Sequence, residues 1–254
     1  MSAVLVIAQR DMKSFFHSLR GSVIFWFFLI FMGFFFQSFV ISFIEMQSQS
    51  AGYGGDGPTL NQLLTAIFHN LHFILLLIVP ALTMSAFAEE RKTQVDRLLQ
   101  TSPVTMFQIV LGKFFASTLM ISLVLLASSV YPIYTVIYGN ADGAVILSSY
   151  LGIFLLVCSQ VALGLMVSSM TDNQFLAFVF TMFGLFLLLI LNWIAPNITS
   201  AGATEQFVKY LASTTHLDNF FKGLITIADV TYFILFTGLF LFFTFITLDS
   251  RRWR

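Results

Sequence analysis

Six stretches without a single Asp, Glu, Lys or Arg, each long enough to cross a bilayer, constrain this 254-residue sequence more than anything else in it. A charged side chain at mid-bilayer is costly, and a helix needs about 20 apolar residues to cross the hydrocarbon layer. Trimmed of polar, Gly and Pro ends, the stretches predict spans at residues 22–44, 66–88, 114–138, 145–169, 175–195 and 231–248. The next longest charge-free run, 98–112, is too short and contains Pro103. Every span is continuously apolar, without the alternation of a barrel strand, so the expected fold is an all-α, six-helix membrane domain occupying residues 1–254. Composition agrees: 58% of residues are hydrophobic and 9% charged, against roughly 25% charged in an average globular protein. Twelve basic residues balance twelve acidic ones, which leaves no global basic field for nucleic acid. Cys158 stands alone and cannot form an internal disulfide.

Orientation follows from the placement of Lys and Arg. Arg10, Lys13, Arg20, Arg91, Lys92, Arg97, Lys113, Arg251, Arg252 and Arg254 fall on one side of the spans, and only Lys209 and Lys222 on the other. The positive-inside rule then puts both ends of the sequence and the 89–113 segment in the cytoplasm of a bacterial inner membrane. The loop at 53–58, the turn at 139–143 and the segment 196–229 face outward. The first run is expected to stay as a span, being too long for a signal peptide and lacking a small-residue cleavage site. Ahead of it, Val4, Leu5, Ala8, Met12, Phe15, Phe16 and Leu19 recur at helical spacing opposite Gln9, Arg10, Lys13, Ser14 and His17, the pattern of an interfacial helix over 1–20. Trp253 among the terminal arginines suits the same interface.

Motifs for chemistry are missing. There is no GxxxxGK[ST], GxGxxG, HExxH or GxSxG, so no catalytic residue, bound cofactor or nucleotide site is expected in this chain. His69 and His72, three apart, could share a helix face and hold a metal, but no Asp, Glu or Cys stands at ligand spacing beside them. The Phe25, Phe28, Phe31, Phe35 stripe is expected to meet lipid. Gln37, Gln160 and Asn192, the strongest hydrogen-bonding side chains within the spans, are expected to join helices. With no mid-span carboxylate or basic group for ion coupling, energy for transport would have to come from another subunit.

One dense polar segment remains, Ala88 to Ser117. It runs from Glu89, Glu90, Arg91 and Lys92 through a short helical stretch containing Asp96, Leu98 and Leu99 to a stop at Ser102 and Pro103, after which a new helix rises from Thr105 through Lys113. Inward apolar residues with outward charges are what docking to a cytosolic partner requires.

This segment resembles the coupling region of ABC-2 type transporter permeases, whose pattern runs approximately AEER, LLLTSPV, then LGK. Here it reads Ala88-Glu89-Glu90-Arg91, Leu98-Leu99-Gln100-Thr101-Ser102-Pro103-Val104 and Leu111-Gly112-Lys113, with Gln94 where the family usually has Gly and Gln100 in place of a third Leu. The end of the chain resembles the branch containing gliding-motility and nitrous-oxide-reductase maturation permeases, through His216, Phe220, Lys222-Gly223, Asp229, Tyr232-Phe233 and Arg251-Arg252-Trp253.

The resemblance implies a permease half that pairs with a second half and with two cytosolic ATPase subunits holding ATP and Mg, usually for export. An accessory protein on the outer side would fit the same assembly. Glu89, Glu90, Arg91, Asp96, Leu98, Leu99 and Pro103 would form the ATPase-coupling interface. Residues 196–229 would form a re-entrant helical hairpin before the last span, with Leu211, His216, Phe220 and Phe221 as an outer gate. The alternative is a membrane anchor or assembly subunit of a motility, secretion or metalloenzyme-maturation complex, using the same fold without solute export.

Overall fold

The computed structural model describes residues 3–16, 18–53, 57–92, 105–139, 141–194 and 209–252. Among these the chain is helical without a strand. The helices are α1 (Ala3–Phe16), α2 (Leu19–Tyr53), α3 (Leu60–Thr83), α4 (Ser85–Lys92), α5 (Met106–Ser128), α6 (Val130–Gly139), α7 (Gly143–Met170), α8 (Gln174–Ile194), α9 (Ser213–Phe221) and α10 (Ile227–Arg252). Counting α3 with α4 and α5 with α6, six helices among the described residues are long and apolar enough to cross a membrane. The chain is a multi-pass membrane protein.

The helices outrun the predicted spans because uncharged polar residues and some charges continue the helical ladder. α5 starts at Met106, eight residues before the predicted 114, where Thr105 and Gln108 exchange hydrogen bonds in a capping box: the Gln108 amide donates to the Thr105 hydroxyl at 3.3 Å and the Thr105 amide to Gln108 Oε1 at 3.1 Å. Lys113 therefore lies two turns inside a helix, and Asp229, placed before the last span by the charge-gap reading, lies in the first turn of α10.

Two long helices are interrupted, the first by a side chain from a neighbouring helix and the second by a proline of its own. Ser168 of α7 inserts its hydroxyl where α3 gives way to α4, accepting from the Phe87 and Ala88 amides at 3.1 and 3.3 Å and donating to the Met84 carbonyl at 3.2 Å. Between α5 and α6, Pro132 has no amide to offer the Ser128 carbonyl four residues back, and the chain tightens through a Ser129 amide bond to the Leu126 carbonyl at 3.2 Å. Neither interruption has a charge to mark it.

α7 is the axis of the bundle, packed by α3, α4, α5, α8, α9 and α10. In the apolar stretches of α3, α5 and α7, 67% of residues are buried; in those of α2, α8 and α10 the figure is 17%. Close approach to α7 depends on missing side chains. A Cβ on Gly164 would meet Thr83 Oγ1 at 2.2 Å, and one on Gly152 would meet the Phe220 side chain at 2.7 Å. On α2, Phe28 and Met32 are fully buried while Phe27, Phe31 and Phe34 are exposed, so the expected lipid-facing phenylalanine stripe is divided between core and surface.

α1 packs along α5 at Gly112, where a Cβ would meet Ile7 at 2.9 Å. Its buried side centres on Ile7 and Ala8, with Met12 and Phe15 partly buried, while Leu5 and Val6 are exposed. Ile7, outside the predicted apolar face, packs against α5 together with Ala8 of that face, while Leu5 stays exposed.

Candidate functional sites at the two ends of the bundle

At one end, α1, α4 and α5 meet through charge. Glu90 receives Arg10 at 2.9 Å and Lys113 at 2.8 Å. Asp11 receives Arg10 at 2.9 Å and stands 3.7 Å from Lys113. The Lys113 side chain is only 3% exposed; its ammonium also donates to the Ala86 carbonyl at 2.5 Å and lies 5.1 Å from the Phe87 ring centre. A buried ammonium needs this enclosure of acceptors, since an unpaired charge there would forfeit its hydration. Burial of Arg10 works against its charged form, but Asp11 and Glu90 outweigh it and raise the guanidinium above its ordinary value.

Arg91 turns the other way. Its guanidinium donates to Asp172 at 3.2 Å, to the Thr171 carbonyl at 3.5 Å and to the Ser169 carbonyl, closing the carboxyl end of α7 where helix carbonyls lack partners. Glu90 and Arg91 are therefore bound within the chain and do not stand free in water as the sequence reading had them. Beside them, α1, the start of α2, the α3–α4 junction and α5 enclose a cleft of about 980 Å³, charged at Arg10, Glu89, Glu90 and Lys113 and apolar at Val23, Ile24, Leu82 and Met120. Asp96, Leu98, Leu99 and Pro103 lie outside the described residues, as does the whole segment 93–104.

The opposite end is organised by α9. Asp229 accepts from the Asn219 amide group at 2.8 Å and from the Thr226 hydroxyl, and faces His216 Nδ1 at 2.6 Å. His216 Nε2 faces the Tyr210 carbonyl at 3.0 Å, and the imidazole stacks on the Tyr232 ring with centres 4.1 Å apart. The Tyr232 hydroxyl donates to the Leu211 carbonyl at 2.8 Å. α9 ends in a Schellman turn: Gly223 has φ +81°, its amide reaches the Phe220 carbonyl at 3.0 Å, and the Leu224 amide reaches the Asn219 carbonyl at 2.9 Å. Ser148 of α7 also donates to the Phe220 carbonyl, at 2.8 Å, which seats α9 on the axial helix.

Of the residues expected at the outer gate, His216, Phe220 and Phe221 are buried together and Leu211 is half-buried beside them. Phe221 stacks on Phe68 of α3 with centres 5.6 Å apart. Of the expected hairpin, residues 196–208 lie outside the described residues; residues 209–211 are helical, the helix breaks at Ala212, and α9 follows.

The sequence reading missed Arg10, Asp11 and Lys113 as members of the first cluster, and Asn219, Thr226 and Asp229 as the surroundings of His216. A signal for the first existed in Lys113, a cation one residue from the predicted bilayer edge. His69, exposed, stands 3.4 Å from Asp218, a carboxylate contributed by the fold and invisible at sequence spacing, while His72 is buried. No three metal-ligating side chains come together among the described residues. Asn192 accepts from Thr215 at 3.3 Å and so joins α8 to α9, Gln160 is buried with its carbonyl oxygen unpartnered, and Gln37 is exposed on α2. No family model matches the chain, and no curated protein matches it.

Proposed function

We propose that this chain is the permease half of an ATP-driven transporter of the ABC-2 type, working with a second permease half and two cytosolic ATPase subunits, in the export direction. The observation that supports this most is the meeting of α1, α4 and α5 on Lys113. Glu90 and Arg91, in the segment that resembles the family's coupling region, are fixed to three other helices, so a force applied at the end of α4 reaches α1, α5 and α7 together. An end tied to one helix would dissipate that force. On this reading the Lys113 end faces the cytoplasm, α1 lies at the interface, and α9 belongs to a re-entrant outer gate.

Glu89→Ala tests the reading. It should weaken ATPase co-purification or uncouple hydrolysis from transport, with membrane insertion unchanged. Asp142→Asn, at the other end of the bundle, should behave as wild type. Equal behaviour of the two variants would remove the coupling role.

A further inference from the structure

We infer that His216 and Asp229 form a proton-held latch that ties the chain entering α9 to the last span, and that deprotonation of the pair releases it. Both ring nitrogens of His216 face acceptors: Asp229 Oδ1 at 2.6 Å and the Tyr210 carbonyl at 3.0 Å. A carbonyl can only accept, so Nε2 must carry a proton for that contact to be attractive. At 2.6 Å a second proton must lie between Nδ1 and Oδ1, or two lone pairs would face each other. The carboxylate's other oxygen is already filled by Asn219 and Thr226, so Asp229 cannot turn away from the ring. The pair thus holds two protons and is electrically neutral.

Remove one proton to solvent and one contact must fail. The remaining ring proton stays with the Asp229 carboxylate, the stronger acceptor, and Nε2 presents a lone pair to the Tyr210 carbonyl. Nothing else around the ring replaces the lost donor. From α10 it meets Tyr232, whose hydroxyl is committed to Leu211; from the entering segment it meets the Tyr210 ring. On α9 itself, Asp218 faces His69 of α3 and Lys222. α7 offers Ser148 and Ser149 to the Phe220 carbonyl, and α8 offers Asn192 to Thr215. α9 therefore keeps its seat on α7 and α3 while the segment entering it loses its tie through His216 and keeps the bond from Tyr232 to the Leu211 carbonyl. The latch requires no transport activity, so its test stands apart from that of the permease reading.

The experiment uses the full chain in bilayer nanodiscs with ¹⁵N-histidine. Across a pH titration, ¹⁵N resonances of His216 should report protons on both ring nitrogens at the acidic end and on one at the alkaline end. Hydrogen exchange at residues 210–212, corrected for the pH dependence of chemical exchange, should rise about tenfold over that range, the weight of one charge-assisted hydrogen bond, while that of α9 stays unchanged. His216→Gln should remove the pH dependence. A bare Nε2 at the acidic end, the same response in His216→Gln as in wild type, or no response in wild type would each overturn the latch. Should the variant fail to fold, the wild-type ring resonances decide alone.

Discussion

Lys113 and Glu90 approach to 2.8 Å although 22 residues separate them, and with the lysine side chain 3% exposed the glutamate is what keeps a cation at that depth. Truncating Glu90 to Ala leaves the ammonium with the Ala86 carbonyl and Asp11 at 3.7 Å. Because Glu90 is still 17% exposed, the cost should be about 2 kcal/mol, below the roughly 3–5 of a fully buried pair. Unfolding in detergent should register that loss for Glu90→Ala and most of it should return in Glu90→Gln with Lys113→Met. From sequence alone Glu90 covers no core and its removal would leave packing intact; the ion pair reverses that expectation.

Helix contact at Gly164 predicts a second difference. An added Cβ meets Thr83 at 2.2 Å, so Gly164→Ala must push α3 from α7 and should cost about 1–3 kcal/mol. Gly238, with nothing within 4 Å of its added Cβ, is the contrast: Ala there should be neutral or stabilise by up to about 1 kcal/mol through helix propensity. Thermal unfolding of both variants in one detergent checks the pair.

Asp218 predicts a pH dependence. Burial raises its carboxyl above the ordinary aspartate value, with His69 and Lys222 pulling the other way. A raised folded-state value means the protonated form is favoured in the fold. The stability this brings is complete below the unfolded pKa, about 3.9, and is lost as pH rises through the folded one. Asp218→Asn, neutral at every pH, should therefore be more stable than wild type near pH 7, with the difference shrinking towards pH 4. Unfolding curves for both proteins across that range give the sign.

Topology can be read from the two ends of α7. Its 28 residues extend about 42 Å, more than a hydrocarbon layer, so residues 142 and 172 must emerge on opposite sides. In cells carrying Cys158→Ser, Asp142→Cys should react with an impermeant thiol reagent from outside and Asp172→Cys should not. The reverse pattern would invert the orientation drawn from the ten-to-two distribution of Lys and Arg.

The spans were legible because charge is expelled from a bilayer whatever the packing, so the gaps between charges outline them. Their ends were less so. The same rule treats Lys113 and Asp229 as bilayer edges, whereas each is carried inside a helix by partners the chain brings from elsewhere: Glu90 for the lysine, and His216, Asn219 and Thr226 for the aspartate. Interruptions such as the one at Met84 depend on a serine 84 residues away and leave no local mark. Close helix approaches at Gly112, Gly152 and Gly164 were equally hidden, because a glycine in an apolar run reads the same whether it faces lipid or a neighbour.

The central claim is that the Glu89–Arg91 end of α4 faces an ATPase, and site-specific photocrosslinking from position 89 in living cells addresses it most directly. A photoreactive residue at Glu89, which perturbs the Lys113 cluster less than one at Glu90, should yield a discrete adduct whose partner carries a GxxxxGK[ST] nucleotide-binding motif. The yield should change when the cells are depleted of ATP. Crosslinks confined to this chain or to lipid, with no nucleotide-binding partner, would contradict the account.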